Sequence, residues 1–94
     1  MNLENLLKKN SGTIIDVRSP EEFRNGNVEN SINIPLNEIM DKIETLLTYE
    51  QPLILCCASG NRSGMAYHYL AQRNIECINA GSYLDILELK TKLV

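Results

Sequence analysis

Tryptophan is missing from the sequence, and 94 residues hold one phenylalanine, one histidine, three prolines and three cysteines. Long apolar runs are missing too. None approaches the roughly 20 residues that a membrane-spanning helix needs, so no membrane partner is expected. The start, Met1-Asn-Leu-Glu-Asn-Leu-Leu-Lys-Lys9, lacks the basic-then-apolar order of a secretory signal. Basic residues are the minority, nine against twelve acidic, for a net charge of −3. A general nucleic-acid binder carries a strong positive excess, so nucleic acid is not an expected partner. A small anionic substrate stays open, because one pocket can be positive on an acidic protein. The cysteines are odd in number, and Cys56 and Cys57 are adjacent, a poor start for a disulfide framework. C-x-x-C spacing is absent and His68 stands alone, so neither a metal site nor a cofactor is expected. A reducing, cytoplasmic setting fits these thiols.

What is present is a patterned chain. Its length allows one domain, taken as residues 1–94, and its 44% apolar content excludes disorder. Leu3, Leu6 and Leu7 form a short helical stripe that Asn10-Ser11-Gly12 breaks. Thr13–Val17 is apolar and β-branched, as in a buried strand. Ser19, Pro20 and Glu22 spell a capping box that opens a short helix, stopped near Gly26. Residues 31–35 read as a strand ended by Pro35. Leu36, Ile39, Met40, Ile43, Leu46 and Leu47 fall on one helical face over 36–47. Leu53–Cys57 is apolar throughout, the pattern of a central strand covered on both sides. After the turn 58–61, residues 62–73 read as a helix with Met65, Ala66, Tyr69 and Leu70 inward. Ile75–Ile78 is a further strand, and a last helix opens after Gly81 with Tyr83, Leu84 and Leu87 inward. Strands alternating with helices imply parallel pairing through right-handed crossovers. The expected fold is a three-layer α/β domain, a central parallel sheet of four to five strands with helices on both faces. Ligands in such sheets bind beyond the carboxyl ends of the strands, which points to residues 57–62.

That segment, Cys57-Ala58-Ser59-Gly60-Asn61-Arg62-Ser63, joins a strand to a helix N-terminus. Small residues between Cys57 and Arg62 allow successive N–H groups to point inward as an anion nest, with a helix dipole behind it. The same field favours thiolate over thiol and so makes Cys57 a nucleophile. Arg62 can supply a charge-assisted fork for an oxyanion. A bland alternative stays open: Cys57 as the last buried residue of its strand and Arg62 as a solvated helix start.

With these residues in view, the chain resembles the rhodanese family. Cys57–Ser63 resembles its active-site loop, Ile14–Phe23 its first motif, Gly26–Pro35 its second, and Asn79-Ala-Gly-Ser-Tyr83 its C-terminal Gly-Gly-Tyr element. The four occur in the family's order between about residues 3 and 88. The resemblance implies sulfur transfer through a cysteine persulfide, with Cys57 as the sulfur carrier. It also implies that the amides of Ala58, Ser59, Gly60 and Asn61 surround the persulfide, that Arg62 closes the loop and that Ser63 starts the helix. Asp16 and Arg18 match a motif read as supporting rather than catalytic. The chain departs from the family at Asn27, often histidine there, and at Ala58, often basic there, which leaves the rim less positive for thiosulfate. The family's first strand has no clear counterpart.

The implied partners are a small anionic sulfur donor such as thiosulfate and a thiophilic acceptor: cyanide, a thiol or a thioredoxin-like protein. Two competing readings stand beside this one. Counted from Cys56, the stretch has the Cys-x5-Arg spacing of cysteine phosphatases and arsenate reductases, in a wider ring that holds a tetrahedral anion. The other reading is a non-catalytic rhodanese-like binding module. His68 is read as exposed or paired rather than catalytic, Cys77 as core, and Cys56 as core or as a resolving thiol.

Overall fold

The structure, a computed structural model, describes residues 2–93. Helix α1 (Leu3–Lys8) is capped by the Asn2 side chain. It is followed by β1 (Thr13–Asp16), α2 (Pro20–Arg24), β2 (Ile32–Asn33), a 3₁₀ helix (Leu36–Lys42) and α3 (Ile43–Leu46). Then come β3 (Leu53–Cys57), α4 (Asn61–Ala71), β4 (Cys77–Ser82) and α5 (Tyr83–Lys92). The strands form one all-parallel sheet in the order β2-β1-β3-β4. The expected α/β architecture is therefore present, with four strands among the described residues.

β3 is central and wholly buried. Side chains alternate across a strand, so its two faces hold different sets. Leu53, Leu55 and Cys57 join Ile15, Val17, Ile39, Leu46, Ala66 and Leu70 in one core. Ile54 and Cys56 join Leu7, Ile14, Val28 and Ile86 in the other. α4 and the 3₁₀ helix cover the first face, and α1 and α5 the second. Adjacent cysteines are thus sent to opposite layers, a fact on which the site depends.

Five local expectations need correction. The 36–47 stripe is not one α-helical face. Its first seven residues are a 3₁₀ helix, whose three-residue turn aligns Leu36 with Ile39 and rotates Met40 away. Met40 and Leu47 are accordingly exposed, while Ile39 and Leu46 are buried. On α4 the buried stripe is Ser63, Ala66 and Leu70, and Met65 is exposed one residue before it. On α5 the fully buried residue is Ile86, and Leu84 points out. The strand expected at 75–78 begins at Cys77 and runs to Ser82, and the strand at 31–35 shrinks to Ile32–Asn33. β4 also slips: Leu55 faces Asn79 but Cys56 faces Gly81, which leaves Ala80 as the extra residue. Bulges of this kind re-aim neighbouring side chains, and this one lies beside the end of β3.

Candidate active site

The chain turns from β3 into α4 within three residues. Gly60 makes this possible. Its φ of +100° is left-handed, and a Cβ there would meet the Gly81 backbone at 3.4 Å. The turn brings the Gly60 N–H to 2.9 Å from Cys57 Sγ and the Ser63 N–H to 3.4 Å. Ser63 Oγ lies 3.3 Å from the same sulfur. Cys57 is fully buried, whereas Ala58, Ser59 and Asn61 of the covering turn are exposed. Burial alone pushes the Cys57 thiol up. The Ser63 hydroxyl and the amides of Ser63, Gly60 and Ser59 outweigh it, and the thiol is held below the ordinary cysteine value. Ser63 is thus more than a helix start, because its hydroxyl reaches the sulfur.

In the sequence Asn79 is legible only as the start of the C-terminal element, with no part at the sulfur. Its Oδ1 accepts from Ser63 Oγ–H at 2.7 Å and from Gly81 N–H at 3.0 Å, and its Nδ2 donates to Gly60 O at 3.3 Å. These contacts fix the amide orientation and tie the loop to the bulged strand. They also set a proton order. While Ser63 donates its one hydrogen to Asn79, its oxygen can only accept from the Cys57 S–H. When Cys57 ionises, the Ser63 hydrogen must turn to the sulfur, and Asn79 keeps its bond from Gly81. Ser63→Ala is therefore expected to raise the Cys57 titration and to slow thiol alkylation at neutral pH several-fold. Alkylation rate against pH, read on the Cys57 peptide, checks this; an unmoved profile refutes the hydroxyl's part.

The other two thiols are not activated. Burial, followed by the nearby Asp16 carboxylate, pushes Cys56 up to about 12. Burial also raises Cys77. Counted from Cys56, a Cys-x5-Arg ring would start on the opposite face of the sheet from the loop amides.

Asp16 and Arg18 form a buried pair. Arg18 Nε donates to Asp16 Oδ1 and Oδ2 at 3.0 Å, and Nη2 donates to Oδ2 at 2.7 Å. The same guanidinium donates to the carbonyls of Glu22 and Gly26 and lies 3.7 Å from the centre of the Tyr83 ring. It braces the end of β1, helix α2 and the start of α5.

Arg62 does not offer a free fork. Its Nη1 and Nη2 donate to Glu22 Oε1 at 2.7 Å and Oε2 at 2.9 Å. Glu22 was legible in sequence only as half of a capping box. It plays that part too, since Oε1 accepts from the Ser19 N–H at 3.1 Å. Hydrogen bonds from Arg62, then from Ser19, lower its carboxyl to about 2. His68 is exposed and meets the edge of the Tyr67 ring. Among the described residues, no group of three or more His, Cys, Asp or Glu side chains is placed to hold a metal. No helix among them is long and apolar enough to cross a membrane. A cleft of about 730 Å³ opens beside the loop, walled by Val17, Pro20, Leu36, Met40, Tyr69 and Arg62.

Comparison with known proteins gives a consistent result. A family model described as "Rhodanese-like domain" matches residues 2–89. Over 80 residues the chain is 35% identical to the thiosulfate sulfurtransferase PspE of Escherichia coli, covering 83% of this chain and 77% of that protein. It is 36% identical over 66 residues to an adenylyltransferase and sulfurtransferase of Drosophila pseudoobscura, but spans only 15% of that longer protein and 64% of itself. The crystal structure of a rhodanese-related protein from Thermoplasma volcanium superposes with a TM-score of 0.76 at 32% identity, covering 86% of this chain and 82% of that one. The fold, the loop after β3 and these matches agree: the chain belongs to the rhodanese-like domain family.

Proposed function

We propose that this chain, as one unit over residues 1–94, is a sulfurtransferase that carries sulfane sulfur on Cys57. The observation that carries the reading is the buried Sγ held by the Gly60 and Ser63 amides and the Ser63 hydroxyl, with its thiol lowered. Similarity to PspE of E. coli, named a thiosulfate sulfurtransferase, supports the donor class. The Cys57 thiolate attacks the outer sulfur of thiosulfate. A sulfur–sulfur bond forms to Sγ, the donor's own sulfur–sulfur bond breaks, and sulfite leaves with the electron pair. Cyanide or a thiol then takes the outer sulfur and restores the thiolate. Neither half-reaction calls for a histidine base, because the Gly60 and Ser63 amides and the Ser63 hydroxyl favour the Cys57 thiolate. The amides that hold the thiolate also suit the persulfide anion that replaces it. Asp16 and Arg18 support the end of β1 without touching the sulfur. Three free cysteines suit a reducing, cytoplasmic setting.

The test is direct. Thiosulfate treatment of the whole protein is expected to add one sulfur atom to the Cys57 peptide, removable by cyanide, as read by mass spectrometry. Kinetics are expected to be ping-pong. Absence of the adduct with every sulfane donor tried would overturn the reading.

A further inference from the structure

Two guanidiniums lie at the carboxyl end of the sheet, and both are already bound. Arg18 is held by Asp16 and stacked on Tyr83. Arg62, the loop's own cation, is clasped through both terminal nitrogens by Glu22. The clasp is anchored, since Glu22 Oε1 also accepts from the Ser19 N–H in the capping box of α2. Ala58 adds no charge to the turn, and Asp85 brings a carboxylate beside Gly81. An inorganic dianion reaching this rim finds its cation already neutralised.

The neighbouring cleft points the same way. It lies on the sheet face that Cys57 shares with Val17, and its volume is in the range of organic ligand sites. Val17, Pro20, Leu36, Met40 and Tyr69 give it an apolar wall, and Glu38 adds another carboxylate. Thiosulfate has no carbon to place against such a wall.

Building on the sulfur-carrier reading, we propose that Glu22 is a specificity-determining residue. By neutralising Arg62 it disfavours inorganic dianions and favours organic monoanions that end in a sulfane sulfur, whose carbon part occupies the Val17–Leu36–Met40–Tyr69 cleft. Thiosulfonates and persulfides share this chemistry. The Cys57 thiolate bonds to the terminal sulfur, the bond from that sulfur to the rest of the donor breaks, and the electron pair leaves with the sulfinate or thiolate. No oxidant or reductant is consumed.

Three donors separate charge from carbon: thiosulfate, a dianion; methanethiosulfonate, a small monoanion; and benzenethiosulfonate, a monoanion with a ring. In the unmodified protein, kcat/KM is expected to rise in that order. Glu22→Gln keeps an oxygen for the Ser19 N–H and removes the charge. It is expected to lower KM for thiosulfate about tenfold and for methanethiosulfonate only about threefold, with kcat unchanged. Met40→Ser, at an exposed position of the cleft wall, is expected to raise KM for benzenethiosulfonate several-fold and for methanethiosulfonate, with only a methyl to place there, by less than about twofold. If sulfur loads onto Cys57 but Glu22→Gln leaves the donor ratios unmoved, or thiosulfate is the best donor of the unmodified protein, the proposal is wrong. If none of the three donors places sulfur on Cys57, the sulfur-carrier reading itself has failed.

Discussion

Cys57→Ser is expected to cut thiocyanate formation from thiosulfate and cyanide by at least about a thousandfold, whereas Cys56→Ala stays within about threefold of the unmodified protein. The two positions are neighbours in sequence, yet the strand separates them. Cys57 Sγ receives the Gly60 amide at 2.9 Å, while Cys56 lies with Ile54 and Ile86 on the far side of β3 and is pushed up to about 12. A serine hydroxyl at position 57 stays protonated at neutral pH and cannot hold a stable sulfane adduct, so the loss is chemical. Circular dichroism is expected to show Cys57→Ser folded. The Cys56→Ala change removes one buried sulfur, a small cavity of modest cost. The opposite pattern, with Cys56 essential and Cys57 dispensable, would favour the wider Cys-x5-Arg ring. Phosphate release from p-nitrophenyl phosphate, lost in Cys56→Ala and kept in Cys57→Ser, would do so as well.

That separation is half legible in the sequence alone. The all-apolar run Leu53–Cys57 announces a strand covered on both faces, and strand alternation then requires adjacent cysteines to part. The run does not say which face receives the following helix, and that choice decides which sulfur meets the amides. Glu22 and Asn79 were hidden for a different reason. Glu22 has a sufficient local explanation in the capping box, so nothing in the sequence asks for its second partner, Arg62, 40 residues away. Asn79 faces Leu55 and so shares the α4 side of the sheet, but nothing in the sequence names Ser63, 16 residues earlier, as its partner. The misplaced stripes have a common cause. Met40 and Met65 are apolar residues at plausible spacings, but a 3₁₀ turn moves the first, and a buried polar Ser63 takes the place beside the second. Periodicity counts apolar residues, whereas the site buries a hydroxyl.

The largest expected loss of stability comes from Asp16→Asn. The carboxylate is fully buried and Arg18 is 3% exposed, so their charges are compensated by each other rather than by water. Asparagine fills nearly the same volume but cannot neutralise the guanidinium, and its NH2 would face the arginine's donors. Arginine does not escape by losing a proton, as a buried lysine can. Leaving one member of a buried pair uncompensated costs about 3–5 kcal/mol. A domain's whole stability is about 5–15 kcal/mol, so the variant loses a large share of it. For a chain of this length the thermal midpoint is expected to fall by at least about 12 °C. Arg18→Met alone gives a different outcome. It leaves a carboxylate buried and also strips the Glu22 and Gly26 carbonyls of their donor, so α2 loosens with it. Because neither Asp16 nor Arg18 touches Cys57 Sγ, the alkylation profile of Cys57 in Asp16→Asn, taken below the new midpoint, is expected to stay within about twofold of the unmodified protein. A midpoint that hardly moves would mean the pair is not buried as described. A lowered midpoint together with a displaced Cys57 profile would mean that the brace reaches into the loop.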